Sequence, residues 1–243
     1  VIGFYLGGRL GLFLGFCLAT TLMVLVFFFG DAQLLKFFKA KAVRGQDPWN
    51  LNDLALRYSR IASVPTPTVY LAENSSPFAF SQGQYWKHSF ICVSSGLLER
   101  FSQAEIEAII AHQVCHVRKI ESFRFGIFSA LAHALVAIKA LRWLLTPLAW
   151  ILIKAAVSSR SFLENDDLVS SFLPDRKTLA QALWKLEAYS QTLPVKTLPC
   201  SHHLFIVSPQ RFEMKQSRLQ SWLRLQHPSI ESRIRRLTGS FPI

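Results

Sequence analysis

The chain has 243 residues, 51% of them apolar and only 17% charged, with a formal net charge of +12. A mean hydropathy of +0.26 is high for a soluble domain, and 20 Phe residues exclude a disordered chain, which lacks the apolar area to offset its ordering entropy. Lys and Arg are spread along the sequence and are not interleaved with aromatics in an RNA- or DNA-binding motif, so nucleic acid is not an expected partner.

The chain starts at Val1, inside apolar sequence and without a Met, which suggests missing upstream residues. Residues 10–29 (LGLFLGFCLATTLMVLVFFF) carry no charge. At about 1.5 Å per residue such a run matches a hydrocarbon core of about 30 Å, and it predicts a transmembrane helix in a lipid bilayer. Arg9 precedes the run, while Lys36, Lys39, Lys41 and Arg44 lie beyond it. That asymmetry places the downstream residues in the cytoplasm, and the basic residues suit an anionic membrane surface. Gly3, Gly7, Gly11 and Gly15 recur every fourth residue, and Ala19 continues the series. Small residues at this spacing let membrane helices approach closely, so Gly7, Gly11 and Gly15 are candidates for packing against a membrane protein partner or a second copy. The alternative is the general frequency of Gly in membrane segments.

Residues 47–63 read as an amphipathic helix opened by Asp47-Pro48, with Leu51, Leu54, Ala55, Tyr58 and Ile61 at helical spacing. Short strands are predicted at 68–71, 76–81 and 89–94. Ser102 then starts a helix with Glu105 in a capping-box position, and Ile106, Ile109, Ile110, Val114 and Val117 continue its stripe. The second apolar region, 125–157, is broken by Lys139, Arg142 and Pro147. Its halves are short for a span and predict a hydrophobic hairpin with both ends cytoplasmic; a buried soluble hairpin is the alternative. Helices over 177–190 and 228–237 and a strand over 203–207 complete an α+β pattern. The expected organisation is an N-terminal transmembrane helix (1–35), the first part of a soluble domain (36–124), the inserted hairpin (125–157) and the second part of that domain (158–243).

Cysteines at 17, 92, 115 and 200 form neither a disulfide framework nor a C-x-x-C pair, which points to a reducing compartment. His112 and His116 lie four apart on the predicted helix, so both imidazoles share a face and could bind one metal ion. Seven His in this length make the spacing alone a weak signal. Its setting, AIIAHQVCHVRK after a capped helix start and before an apolar hairpin, strengthens it.

Several segments carry a resemblance: FYLGGRLGLFLGF, PTPTVYLAENSSPFAF, SSGLLERFSQAEIEAIIAHQVCHVRK, TPLAWILIKAAVSSRS, LAQALWKLEAYS, SHHLFIVSP and HPSIESRIRRL. In this order, over almost the full length, the chain resembles the HtpX-like family of integral membrane zinc metallopeptidases. The resemblance implies a multi-pass protein of the bacterial inner membrane with an α+β zincin-like domain in the cytoplasm, acting in membrane protein quality control.

The departures from the family pattern are specific. An active zincin has H-E-x-x-H, in which two His bind zinc and the Glu takes a proton from the metal-bound water. Gln113 stands at that Glu position, and an amide cannot accept the proton. Cys115 replaces a small Gly. Where the resemblance implies a Glu ligand with an Asp four residues later, one alignment places Phe162 and Asp166, and the other Leu163 and Asp167. Glu164 could serve only if the helix shifted by about half a turn, which leaves His112, His116 and Glu164 as the best zinc set. Asp166, Asp167, His202 and His203 are further candidates, whereas His227 and His133 read as structural. Phe78-Ala79-Phe80 falls where the family has a strand bordering its substrate groove, able to hold a polypeptide segment by strand addition. Phe78 makes that border more apolar than the family's usual Asn. These losses predict a pseudopeptidase acting as a membrane-bound binding, scaffold or regulatory subunit; the alternative is an active zinc endopeptidase with an unusual ligand set.

Overall fold

The computed structural model describes residues 2–83, 89–118, 159–197, 204–208 and 227–240. The expected hairpin at 125–157 lies outside the described residues, as do His133, Cys200, His202 and His203.

Helix α1 (Ile2–Phe37) takes in the N-terminal apolar run. Phe4, Tyr5, Leu10, Leu12, Phe13, Leu14 and Phe16 are all exposed on it. Side chains at 18–20 and 22–31 lie outside the described set, and among the described residues no helix is long and apolar enough to cross a membrane. The glycine repeat requires a correction. Gly7 (φ −150°, ψ 23°) and Gly8 (φ 56°, ψ −139°) leave helical geometry, so the helix is kinked there. Gly7 therefore does not share one continuous helix face with Gly11 and Gly15.

At its other end α1 stops in a Schellman turn, with the Lys39 N–H donating to Lys36 O (3.1 Å) and the Ala40 N–H to Leu35 O (2.9 Å). The chain then enters a four-stranded sheet of β1 (Lys41–Ala42), β2 (Thr68–Ala72), β3 (Ala79–Gly83) and β4 (Ser89–Ser94), in the order β1-β2-β4-β3. The pair β2/β4 is parallel, and β1/β2 and β3/β4 are antiparallel. The two-residue β1 is too short to show a hydrophobic period. Helix α2 (Leu51–Ala62) begins later than the sequence suggests, because Asp47 is used in the preceding turn, where its Oδ2 accepts from Asn52 N at 2.8 Å.

Alternation along the strands divides the core in two. Ala79, Ile91 and Val93 face a helical layer, whereas Phe80, Phe90 and Cys92 face a second cluster that receives Leu34 and Phe38 from the end of α1. The apolar N-terminal helix is thereby pinned to the sheet by its last turns. Ser94 ends β4 and caps α3 (Ser95–Arg100), accepting from Leu97 N at 3.2 Å. A Cβ at Gly96 would collide with the Ser75 carbonyl, so glycine is needed where the 74–75 turn crosses this helix start.

Helix α4 (Gln103–Arg118) has the expected capping box: the Ser102 N–H donates to Glu105 Oε2 at 2.7 Å, and the Glu105 N–H reaches Ser102 Oγ at 3.4 Å. Its residues from Val114 to Val117, and Ile109 to Gln113 before them, are buried on every side. A helix enclosed in this way is the centre of its domain. Around it pack α2, α5 (Ser159–Ser170) and α6 (Arg176–Thr192), and α7 (Ile230–Thr238) closes over α5 and α6.

Candidate functional site

The site is built where α4, α5, α7 and β3 meet. On α5, Phe162, Asn165, Asp166 and Val169 are buried at the spacing of one helix face. On α7 the corresponding stripe is Ile230, Arg233, Ile234 and Leu237. Each stripe thus carries polar side chains at core positions, and they converge on α4.

His112 is 1% exposed and its Nε2 lies 3.1 Å from Asp166 Oδ1. The Asn165 amide nitrogen and Arg233 Nη2 stand 3.2 and 3.3 Å from the same ring atom. As the N–H tautomer, Nε2 donates to Asp166; as the bare nitrogen, it accepts from the amide or the guanidinium. Arg233, also 1% exposed, donates from Nε to Asp166 Oδ2 and from Nη2 to Oδ1, both at 2.7 Å, and from Nη1 to the Ile206 carbonyl at 2.6 Å. This is a bidentate, charge-assisted pair that fixes α7 to α5. Burial pushes the Asp166 carboxyl up. The Arg233 charge, with hydrogen bonds from Arg233 and His112, outweighs burial and holds the carboxyl down at about 2.

The other side of α4 faces the edge strand β3. His116 Nδ1 is 3.0 Å from Ser81 Oγ. Gln113 Nε2 donates to the Ala79 carbonyl at 3.5 Å, an oxygen that also accepts from Ile206 N at 3.2 Å. Residue 205 bridges to Phe80 on the same edge.

Zinc in a protein site is usually held by three or more protein donors, and the other expected ligands are placed elsewhere. Of the two alignments, the burial of Phe162 and Asp166 on one face agrees with the first. Phe162 is 3% exposed and its ring lies 4.5 Å from the His227 ring, in the apolar cluster. Glu164 is on another face of α5, where it accepts from Arg160 Nε at 2.8 Å and its side chain is 45% exposed. Asp167 is likewise paired at the surface with Arg236. Both oxygens of Asp166 are taken by Arg233. Among the described residues no group of three or more His, Cys, Asp or Glu is placed to hold a metal ion. Among the described residues, which leave out His202 and His203, the donor set therefore does not complete a zinc site of the zincin kind.

Phe78, Ala79 and Phe80 are 3%, 0% and 0% exposed. Phe78 and Phe80 belong to an aromatic cluster with Phe38 and Phe205, their ring centroids 4.9 to 6.1 Å apart. Beside this strand is a shallow recess, with room for about one water, lined by Pro77, Phe78, Ala79, Leu186, Val195 and Ile206, among others. The sequence led to a groove with all three residues on its border; Phe80 instead turns into the core. Cys92 and Cys115 are buried and form no disulfide, and burial pushes the Cys92 thiol up, which keeps it protonated and unreactive.

A family model described as peptidase family M48 matches residues 49–240. The chain belongs to that family. It is an HtpX-like member: proteins named protease HtpX homolog match over nearly its whole length. That of Desulfatibacillum aliphaticivorans is 27% identical, covering 100% of this chain and 85% of the relative. That of Campylobacter curvus is 29% identical, covering 97% and 90%. That of Pyrococcus furiosus is 28% identical, covering 97% and 89%. Within an M48 domain, the arrangement keeps the histidine pair and its buried supports. At the two positions where the resemblance implies a base and a third donor, the chain has Gln113 and the buried Phe162.

Arg233, Asn165 and Ser81 were not singled out by sequence reasoning. Arg233 had a readable signal, because it occupies a core position in the Ile230, Ile234, Leu237 stripe. Ser81 had none, since its partner is 35 residues away.

Proposed function

We propose that this M48 chain is a pseudopeptidase, a binding or regulatory subunit that keeps the peptidase fold without its hydrolytic chemistry. The observation that carries this reading is Phe162, which fills with an aromatic ring the buried position one helical turn before Asp166. Gln113 agrees with it independently, because an amide takes no proton from water. The apolar run at 10–29 and the exposed Phe and Leu side chains of α1 support anchoring in the bacterial plasma membrane, with the α+β domain on the cytoplasmic side. Its partner in this reading is another membrane protein or a second copy of the chain.

The test is metal content of the detergent-purified protein by plasma mass spectrometry, with casein hydrolysis measured in parallel. The expected result is zinc well below one per chain and no hydrolysis, and a Gln113→Glu/Phe162→Glu variant that gains zinc. One zinc per chain, lost in His112→Ala and accompanied by chelator-sensitive hydrolysis, would establish the active endopeptidase instead. Resistance of the chain to alkaline extraction from membranes checks the anchor.

A further inference from the structure

We propose that the surface around Lys36, Phe37, Lys39 and Arg44 is a docking face for anionic glycerophospholipid headgroups, which holds the peptidase-like domain against the bilayer. The inference rests on the reading of α1 as a membrane anchor and adds to it the class of lipid that the domain contacts.

Three observations converge on this face. The last turns of α1 present two sides: Leu34 and Phe38 are buried against the sheet, and Lys36 and Phe37 point outward, Phe37 being 42% exposed. An exposed aromatic among basic residues, at the end of an apolar helix, has the amphipathic character found at membrane interfaces. Next, Lys39 sits at φ 49° in the Schellman turn, at the position where glycine is the low-strain choice. A lysine kept there retains a charge at the cost of backbone strain. Finally, residues 36–44 carry four basic side chains and no acidic one. Lys41 pairs with Glu73 at 3.0 Å, and Lys36, Lys39 and Arg44 are exposed. Since α1 is fixed to the sheet through Leu34 and Phe38, headgroups bound here would orient the whole domain. Each basic residue near an anionic surface is worth about fivefold in lipid affinity.

The full chain in neutral detergent is titrated with phosphatidylglycerol or with phosphatidylcholine, and the rise in its thermal midpoint is recorded. The expected result is a larger rise with phosphatidylglycerol, lost in Lys36→Gln/Lys39→Gln/Arg44→Gln and kept in Arg176→Gln/Lys177→Gln, which removes two exposed charges from the start of α6. Equal rises with the two lipids in the unaltered chain would overturn the proposal, as would an unchanged preference in the triple variant. A rise produced equally by a lipid-free RNA oligonucleotide would show general polyanion binding and also overturn it. Should the triple variant fold poorly, salt titration of the unaltered chain decides: the preference must fall with ionic strength, and a salt-independent preference sinks the idea. Failure of the anchor itself would be seen separately, as release of the chain by alkaline extraction.

Discussion

The two sides of helix α4 differ in how firmly their polar groups are held. Toward α5 and α7, His112 meets a carboxylate whose two oxygens each accept a guanidinium donor at 2.7 Å, with all three residues buried. Toward β3, His116 has a neutral hydroxyl at 3.0 Å and Gln113 a contact at 3.5 Å. The first set is charge-assisted and cross-links three helices; the second consists of neutral contacts, one of them at the limit of a hydrogen bond. The polar groups around His112 thus also hold the domain together.

The contrast between the two sides is probed most strongly at Arg233. Removing one partner of a buried ion pair leaves the other charge uncompensated, so Arg233→Leu should destabilise the domain by about 3–5 kcal/mol in urea unfolding. The double variant Asp166→Leu/Arg233→Leu should recover much of that loss, because no charge is then left buried. A cost for Arg233→Leu no larger than that of a surface substitution would remove the distinction between the two sides.

Acid should act on the same side. The folded Asp166 carboxyl, at about 2, lies below its usual value of about 3.9. Its contribution is therefore fully present above about pH 4 and is lost as pH falls through about 2. The expected magnitude is on the order of 2 kcal/mol, seen as a drop in urea midpoint within that window in the unaltered chain. The drop should be absent in Asp166→Leu/Arg233→Leu.

How much of this was legible beforehand depends on the range over which each signal acts. The capping box of Ser102 and Glu105 and the six residues of β4 were readable, because caps and two-residue alternation are local. Asp166 was placed by the resemblance, but the sequence could not choose between it and Asp167; in the fold the first is buried and the second is paired at the surface with Arg236. The kink at Gly7 and Gly8 was hidden, since two adjacent glycines permit a break without requiring one. Arg233 lies in the helix expected over 228–237, where its place in the apolar stripe marks it as core although its charge favours solvent. The burial of Phe80 depends on Phe38 and Phe205, each distant in sequence, so no local pattern foretold it.

On the β3 side the expected effects are smaller. Ser81→Ala removes one neutral hydrogen bond to His116 and should cost about 1 kcal/mol in the same unfolding measurement. A loss as large as that of Arg233→Leu would mean that the two sides of α4 carry equal weight.

The smallest effect is expected at Gln113. Its donor stands 3.5 Å from the Ala79 carbonyl, and that oxygen also accepts from Ile206 N at 3.2 Å. Replacing the amide therefore does not orphan the acceptor, which is the condition that makes losing a buried hydrogen bond costly. Gln113→Met keeps the length and flexibility of the side chain, so little volume is lost or forced in. The expected change is within about 1 kcal/mol, with the fold and the lipid response intact. A much larger loss would show that the amide makes stronger contacts than the one to Ala79. Gln113 would then be a residue that holds β3 against α4.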